Sequence, residues 1–416
     1  MNRRLSDSTW LASGPLAHLL AVLDHAGEEA RVVGGAVRDA MFGQTPKEID
    51  IATTALPDTV IERARATGFK AVPTGIDHGT VTVIVDERPF EVTTLRKDVE
   101  TFGRKAKVAF GRDWKADAER RDFTINALSV NRAGEVFDYV GGLADIDARR
   151  VRFIGEPAKR IAEDYLRILR FFRFHATYGR GSPDPAGLAA CIAARDGLAH
   201  LSRERVRLEM LKLLRAEHAT PTLAVMTEAG LLEAVLAGVP LLASFENTCK
   251  AEKATGIGSD PVRRLGALAV SVPEDADRLW QRLRLTNSEH ARLTSMAEGW
   301  MQVSPTQGEA AGRELLYRLG PDRYVDRVLV AWSRSPAGAG DPAWEDFATL
   351  PRRWVAPRFP LRAKDFTRRG VEKGPRLGAA LAAAEEAWIA AGFPSDKAAL
   401  AALADAALAG TADQTP

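Results

Sequence analysis

Glu48 and Asp50, one residue apart in Lys47-Glu48-Ile49-Asp50-Ile51, fall where the pattern predicts a strand. The two-residue repeat of a strand would aim both carboxylates at one face while Ile49 and Ile51 enter the core. Alone, such carboxylates repel each other; the arrangement becomes favourable when divalent cations sit between them. Glu91, in Phe90-Glu91-Val92-Thr93-Thr94, lies on another alternating run and could close the same site. Mg²⁺ held by these oxygens would deprotonate an attacking hydroxyl and neutralise a triphosphate. Upstream, Val33-Gly34-Gly35-Ala36-Val37-Arg38-Asp39 leaves a strand and opens a helix. Glycines at such a junction let backbone N–H groups approach a phosphate, and Arg38 adds a cationic fork. The run is neither a G-x-G-x-x-G nor a G-x-x-x-x-G-K-[ST] loop. Taken one at a time, these features read equally as a structural turn and solvated strand faces.

Their order along the chain narrows the reading. Gly34-Gly35-x-x-Arg38-Asp39, Glu48-x-Asp50-x-x-Thr53, Thr74-Gly75-x-x-His78-Gly79-Thr80-Val81, Glu91-Val92-Thr93-Thr94 and Arg120-Arg121-Asp122-Phe123-Thr124-Ile125-Asn126-Ala127-Leu128 follow one another. This series resembles the head domain of the class II tRNA nucleotidyltransferase and poly(A) polymerase family. The resemblance runs on through Glu163-Asp164-Tyr165-Leu166-Arg167-Ile168-Leu169-Arg170-Phe171-Phe172-Arg173-Phe174 and Ser202-Arg203-Glu204-Arg205, and more faintly to Leu283-Arg284-Leu285-Thr286-Asn287 and Gly374-Pro375-Arg376-Leu377-Gly378. It implies an α/β head with the nucleotidyltransferase fold, a mixed β-sheet with helices, followed by an all-α neck, body and tail. By that likeness Gly34, Gly35 and Arg38 touch the nucleotide, Glu48 and Asp50 bind the metal, and Glu91 is the third catalytic acid. The family's first acid is usually aspartate, and glutamate at 48 carries its oxygens about a bond length further out. Activity is expected to survive the change.

The resemblance also gives Asp164 and Arg167 a part in choosing the base. Three residues apart on a helix, they would otherwise be an intrahelical ion pair worth a few tenths of a kcal/mol. In the family they present a Watson–Crick-like edge, the acid accepting from the amino group that cytosine and adenine share, the arginine donating to ring acceptors. Arg121, Arg170 and Arg173 correspond to further nucleotide-contacting arginines; without the family, the last two read as an exposed basic stripe. His78 is expected to hold its loop. The other histidines show no H-x-x-x-H or His-Asp pairing, against an appended metal phosphohydrolase.

The elements that must position these residues change character along the chain. Arg31–Val33, Ile49–Ile51, Lys70–Val72, Thr80–Val85 and Phe90–Thr94 are predicted strands, with helices after Gly35 and around Thr59–Thr67. Beyond about residue 156 the pattern is helical: Pro157–Tyr178 up to the breaker run Gly179-Arg180-Gly181-Ser182-Pro183, then Leu201–Leu214, then a helix capped by Thr286 and Glu289. The expected division is a catalytic head over 1–150, a base-selecting neck over 151–220, a body over 221–335 and a tail over 336–416, the last boundary at the linker Ser335–Pro342.

The 416 residues are 46% hydrophobic and 27% charged, enough for two to four ordinary cores. A net charge of +2 excludes a histone-like basic protein, but residues 351–378 alone hold nine Lys/Arg against two acids. Arg352, Arg353, Arg358, Lys364, Arg368, Arg369, Lys373 and Arg376 are the candidate contacts to a tRNA backbone there, against a plain solvated loop. Two cysteines, Cys191 and Cys249, make neither a disulfide framework nor a zinc site and fit a reducing, cytoplasmic setting. The apolar run Leu16–Leu23, broken by His18, reads as an amphipathic helix and not as a signal peptide, and no stretch has the ~18 apolar residues of a membrane span.

Within the family, the region after Glu91 lacks the Gly-Arg-Arg-Phe-Arg type of signature that marks bacterial poly(A) polymerases. Lys97 to Ala116 looks instead like the full-length loop of CCA-adding members. The expected activity is addition of C, C and A to the 3′ end of tRNA from CTP and ATP with Mg²⁺, the tRNA being the partner through its 3′ end and acceptor arm, and no obligate protein partner is implied. A bacterial poly(A) polymerase is the first alternative, and an RNA-binding homologue that has lost catalysis is the second.

Overall fold

Nine strands, all within the first third of the chain, carry the β-branched runs: β1 (Ala30–Val33), β2 (Asp50–Thr53), β3 (Lys70–Gly75), β4 (Thr80–Val85), β5 (Arg88–Thr94), β6 (Arg96–Phe102), β7 (Lys105–Phe110), β8 (Ser129–Val130) and β9 (Val136–Phe137). They are seen in a computed structural model that describes Leu5, residues 8–102 and residues 105–412. Seven form one sheet in the order β3-β4-β5-β2-β1-β8-β9, and β6 and β7 form a separate hairpin. Only β2 and β5 run parallel; the other neighbours are antiparallel, so the sheet is mixed. From Gly142 onward the described regular elements are helices.

The chain divides into two compact units: residues 1–240 with 279–285, and residues 241–278 with 286–416. In the first, alternation settles which sheet face is covered. Val81, Val83 and Val85 of β4 and Phe90, Val92 and Thr94 of β5 are buried. The helices Gly14–Leu23 and Pro57–Ala66 pack on this part of the sheet, burying Leu16, Leu19, Leu20, Leu23, Val60 and Ala64. The opposite positions of β5, Glu91 and Thr93, are left on the open face. Phe123, Phe153, Phe171 and Phe174 form a ring cluster, Phe123 lying 4.9 Å from Phe153 and 5.2 Å from Phe174. It fastens the Leu166–Tyr178 helix to the segment after the Trp114–Glu119 helix.

The second unit is helical. One apolar cluster gathers Tyr324, Val328, Leu329, Trp332, Trp344 and Phe347, and another gathers Phe366, Leu377, Ala380, Ala384, Ala404 and Ala407. Asp326, fully buried, accepts from Arg263 at 3.0 Å and from Arg292 at 2.7 and 2.9 Å, which compensates a charge that could not stand alone there.

Three local expectations need correction. Glu48 is not on a strand: β2 begins at Asp50, and Glu48 sits in a bend before it. The sheet explains why. β1 pairs Val33 with Asp50 and then leaves at Gly34, whose φ is +70°. On the other side Asp50 pairs with Glu91, so continuing the register would set Glu48 against Pro89, which has no N–H to offer. Ile49 is accordingly half-buried, whereas Ile51 is in the core. Second, Pro157–Tyr178 is two helices, Pro157–Glu163 and Leu166–Tyr178, with Asp164 extended between them (φ −158°, ψ 108°). Asp164 Oδ1 accepts the Leu166 amide at 3.1 Å, the bond by which aspartate turns a chain two residues on. Third, Arg170 and Arg173 are not a free basic stripe; both are ion-paired.

The capping box of Thr286 and Glu289 is present at the Asn287–Ala297 helix. Leu16–Leu23 falls within the Gly14–Leu23 helix, and the Ser335–Pro342 linker lies between the helices Pro321–Arg334 and Pro342–Ala348. Neither cysteine is in a disulfide, and among the described residues no helix is long and apolar enough to cross a membrane.

Candidate active site

The parallel pairing of β2 with β5 sets Asp50 beside Glu91 on the open face. Burial pushes the Asp50 carboxyl above its usual range, the charges of Glu91 and Glu48 push the same way, and Arg121 opposes them. Glu48 reaches the same neighbourhood: it lines, with Asp50 and Glu91, one cavity of about 940 Å³. Hard oxygens that repel one another suit a divalent cation. Among the described residues no trio of His, Cys, Asp or Glu is gathered tightly enough to cage a metal by itself.

Arginines converge on this edge. Gly34, which caps the Gly35–Met41 helix, has a φ of +70°, where a larger residue would be strained, and a Cβ there would lie 3.0 Å from Arg121 Nη1, so the guanidinium would have to shift. Arg121 donates to Asp117 Oδ2 at 3.1 Å through Nη2 and lines a cavity of about 200 Å³ with Asp50, Glu91, Arg96 and Arg120. Arg38 is buried and threaded through a network. Its Nη1 donates to Asn126 Oδ1 at 2.6 Å, its Nε and Nη2 donate to Asp39, and its guanidinium lies 4.3 Å from the Tyr178 ring centroid.

Asn126 donates to Asp122 at 3.0 Å, and Asp122 accepts from Arg170 at 2.8 and 2.6 Å. Arg173 donates to Glu209 at 2.5 Å, with Arg170 3.6 Å from the other oxygen of Glu209. The Leu166–Tyr178 helix therefore presents Arg170 and Arg173 to this network, which ties it to the Gly34–Arg38 turn.

The side chains of Asp164 and Arg167 do not pair; the Arg167 amide donates to the Asp164 carbonyl at 3.0 Å. Asp164 takes a two-pronged bond from Arg205, at 3.3 and 2.5 Å, while Arg167 donates to Glu163 and to the Arg160 carbonyl. With Asp164 extended just before the Leu166–Tyr178 helix, its carboxylate turns to the Leu166 amide and to Arg205 instead of lying beside Arg167 on a helix face. His78 is exposed, and its backbone carbonyl accepts from Arg96. In the second unit all eight candidate tail cations are exposed. Arg353 is tied to Asp346 at 2.7 Å, Arg369 to Asp405 at 2.7 Å, and Arg352 to the Thr255 carbonyl.

The residues that spacing alone did not single out are the partners: Arg205, Glu163, Asp117, Asp122, Asn126 and Glu209. Asp122, Asn126, Glu163 and Arg205 stood within the motif runs quoted above, whereas Asp117 and Glu209 lay outside them.

Residues 30–152 match the family of the poly A polymerase head domain, and residues 182–245 match a family described as the probable RNA and SrmB-binding site of polymerase A. The chain is 34% identical over 396 residues to CCA tRNA nucleotidyltransferase 1, mitochondrial, of Mus musculus, covering 92% of this chain and 87% of that one. It is 31% identical to the CCA-adding enzyme of Limosilactobacillus fermentum, covering 88% and 90%. Among solved structures it superposes on the Bacillus stearothermophilus CCA-adding enzyme in complex with CTP with a TM-score of 0.72 and 27% identity, over 96% of this chain and 98% of that one. The Thermotoga maritima CCA-adding enzyme complexed with tRNA, 18% identical, shares the fold with a TM-score of 0.70. A chain this similar to such relatives along nearly their whole length belongs to the CCA-adding tRNA nucleotidyltransferases of the poly(A) polymerase family.

Proposed function

We propose that this enzyme adds C, C and A in turn to the tRNA 3′ end, using CTP and ATP and releasing pyrophosphate. The observation that carries the reading is the Asp50–Glu91 pair on neighbouring strands, beside Arg121 and the Gly34–Gly35 turn. Glu48 and Asp50 would hold Mg²⁺, with Glu91 completing the acid set; bound there, the ions lower the pKa of the attacking 3′-hydroxyl and offset charge at the α-phosphate.

The protein's own groups do the rest. Gly34 and Gly35 let the backbone approach the triphosphate, while Arg38 and Arg121 direct fixed donors toward it. Asp164 accepts from the exocyclic amino group of cytosine or adenine, and Arg205 holds its carboxylate in place. Arg167 reads the ring acceptors once the base competes with Glu163 for its guanidinium. Arg170 and Arg173, anchored by Asp122 and Glu209, supply further donors at the nucleotide.

The division into a head to residue 150, a neck to 220, a body to 335 and a tail is part of this proposal. So are contact of the tail cations with the tRNA backbone and a cytoplasmic location, which two cysteines outside any disulfide favour.

The test supplies tRNAs lacking CCA, CA or A with Mg²⁺ and one labelled nucleotide at a time. Incorporation of C, C and then A, followed by a stop, is expected. Long adenosine tracts would replace the reading with a poly(A) polymerase, and binding without incorporation would replace it with an inactive homologue.

A further inference from the structure

Asp50 and Glu91 line two cavities, not one. The smaller, about 200 Å³, is walled by Arg96, Arg120 and Arg121. The larger, about 940 Å³, lies against the N-terminal helices, and its wall includes Trp10, Ser13, Lys47, Arg88 and Phe90. Trp10 is half-buried on the short helix Thr9–Ala12, upstream of the family match that begins at residue 30, and none of the sequence motifs gives it a role. Lys47 and Arg88 are exposed, and among the described residues neither is tied to a carboxylate.

The acids therefore border two cavities of different chemistry. In phosphoryl transfer the entering and leaving oxygens stand roughly in line across the phosphorus. A reaction centred on these acids thus needs one compartment for the leaving phosphates and another for the nucleophile. The smaller cavity falls below the ~300–1,000 Å³ of sites that hold a whole small ligand and suits phosphate groups among arginines. The larger falls inside that range and carries in its wall an indole and two exposed cations, groups that suit a base and a phosphodiester.

Resting on the nucleotidyltransferase reading above, we propose that the larger cavity seats the 3′-terminal nucleotide of the RNA, its base stacked on Trp10 and its phosphate beside Lys47 and Arg88. The 3′-hydroxyl then faces the α-phosphate across Asp50 and Glu91.

The experiment is steady-state addition of C to tRNA lacking CCA, compared with the same tRNA carrying an abasic last nucleotide. Trp10→Ala should raise the KM for the ordinary tRNA about tenfold, the scale of losing one base–aromatic stack, and leave the KM for CTP unchanged. Trp10→Phe should restore most of the loss. On the abasic tRNA the wild type should fall to the level of Trp10→Ala, because the stack is already gone. Equal KM for ordinary tRNA in wild type and Trp10→Ala overturns the proposal. So does an equal penalty for Trp10→Ala on both tRNAs, or a matching rise in the KM for CTP, since either would mark a merely structural residue. Failure of the underlying reading looks different: the wild type would add no C to either tRNA.

Discussion

Arg205 makes the sharpest test of how the base is chosen, because the structure and not the spacing brought it to Asp164. Asp164 accepts two bonds from Arg205, at 3.3 and 2.5 Å, and one from the Leu166 amide at 3.1 Å. Arg205→Ala removes the first two and leaves a carboxylate held at one oxygen. Bonds to charged groups contribute about 1.5–3 kcal/mol in folded proteins. The paired side chains retain 27% and 22% of their exposure, so the lower end applies, about 1.5 kcal/mol. That bounds the positional advantage at about tenfold in the preference for a base.

The assay is kcat/KM for CTP against UTP on tRNA lacking CCA, for wild type, Arg205→Ala, Arg205→Lys and Asp164→Ala. The ratio should drop about tenfold in Arg205→Ala and further in Asp164→Ala. Arg205→Lys should fall between wild type and alanine, since an ammonium keeps the charge but not the fork. If Arg205→Ala leaves the ratio untouched while Asp164→Ala collapses it, Asp164 does not need the orientation argued for it. If neither moves, the template assignment itself is lost.

Three further outcomes follow from the same geometry. Chelation of divalent ions should stop incorporation without lowering the unfolding temperature, and Asp50→Asn should cut kcat at least a hundredfold with metal present; metal-independent turnover would refute the carboxylate site. Asp122 is pushed up by burial, but the Arg170 charge and bonds from Asn126, Arg170 and the Phe123 amide outweigh this and hold it below its ordinary value. A depressed folded pKa contributes stability above the unfolded value and loses it as pH falls through the folded one. Asp122→Asn should therefore be less stable than wild type in urea at pH 7, the gap should narrow as pH falls below the ordinary carboxylate range, and a gap independent of pH would contradict this. Reversing Arg368 and Lys373 to glutamate should flatten the dependence of log K for tRNA on log salt by about 0.7–0.9 for every phosphate that is no longer neutralised, whereas an unchanged slope would take the tail out of the interface.

What the sequence disclosed and what it hid divide along sequence separation. Strands β1, β4 and β5, the turn at Gly34 and the Thr286 cap were legible because each rests on residues a few positions apart. The start of β2 depends on Pro89 lying opposite the bend, a fact about register. The helix break at Asp164 is held in part by Arg205, 41 residues on, and Arg38 finds Asn126 across 88 residues. Arg170 and Arg173 read as an exposed stripe for the same reason. Their acids, Asp122 and Glu209, are remote in sequence and adjacent only after folding.

These pairings change the electrostatics of the site. Arg38, Arg121, Arg167, Arg170, Arg173 and Arg205 each have a carboxylate of this chain within salt-bridge distance: Asp39, Asp117, Glu163, Asp122, Glu209 and Asp164 in turn. Among the described residues Glu48, Asp50 and Glu91 have no such partner. The arginines are thus held in fixed orientations at little net charge, while the acids are left in excess. A triphosphate brought to this edge would meet repulsion from the three acids before it gained from the arginines. A divalent cation among those acids reverses the sign of the local field. On the proposed reading, specificity lies in oriented donors and attraction in the ion, which would let a chain of net charge +2 handle two polyanions at one site.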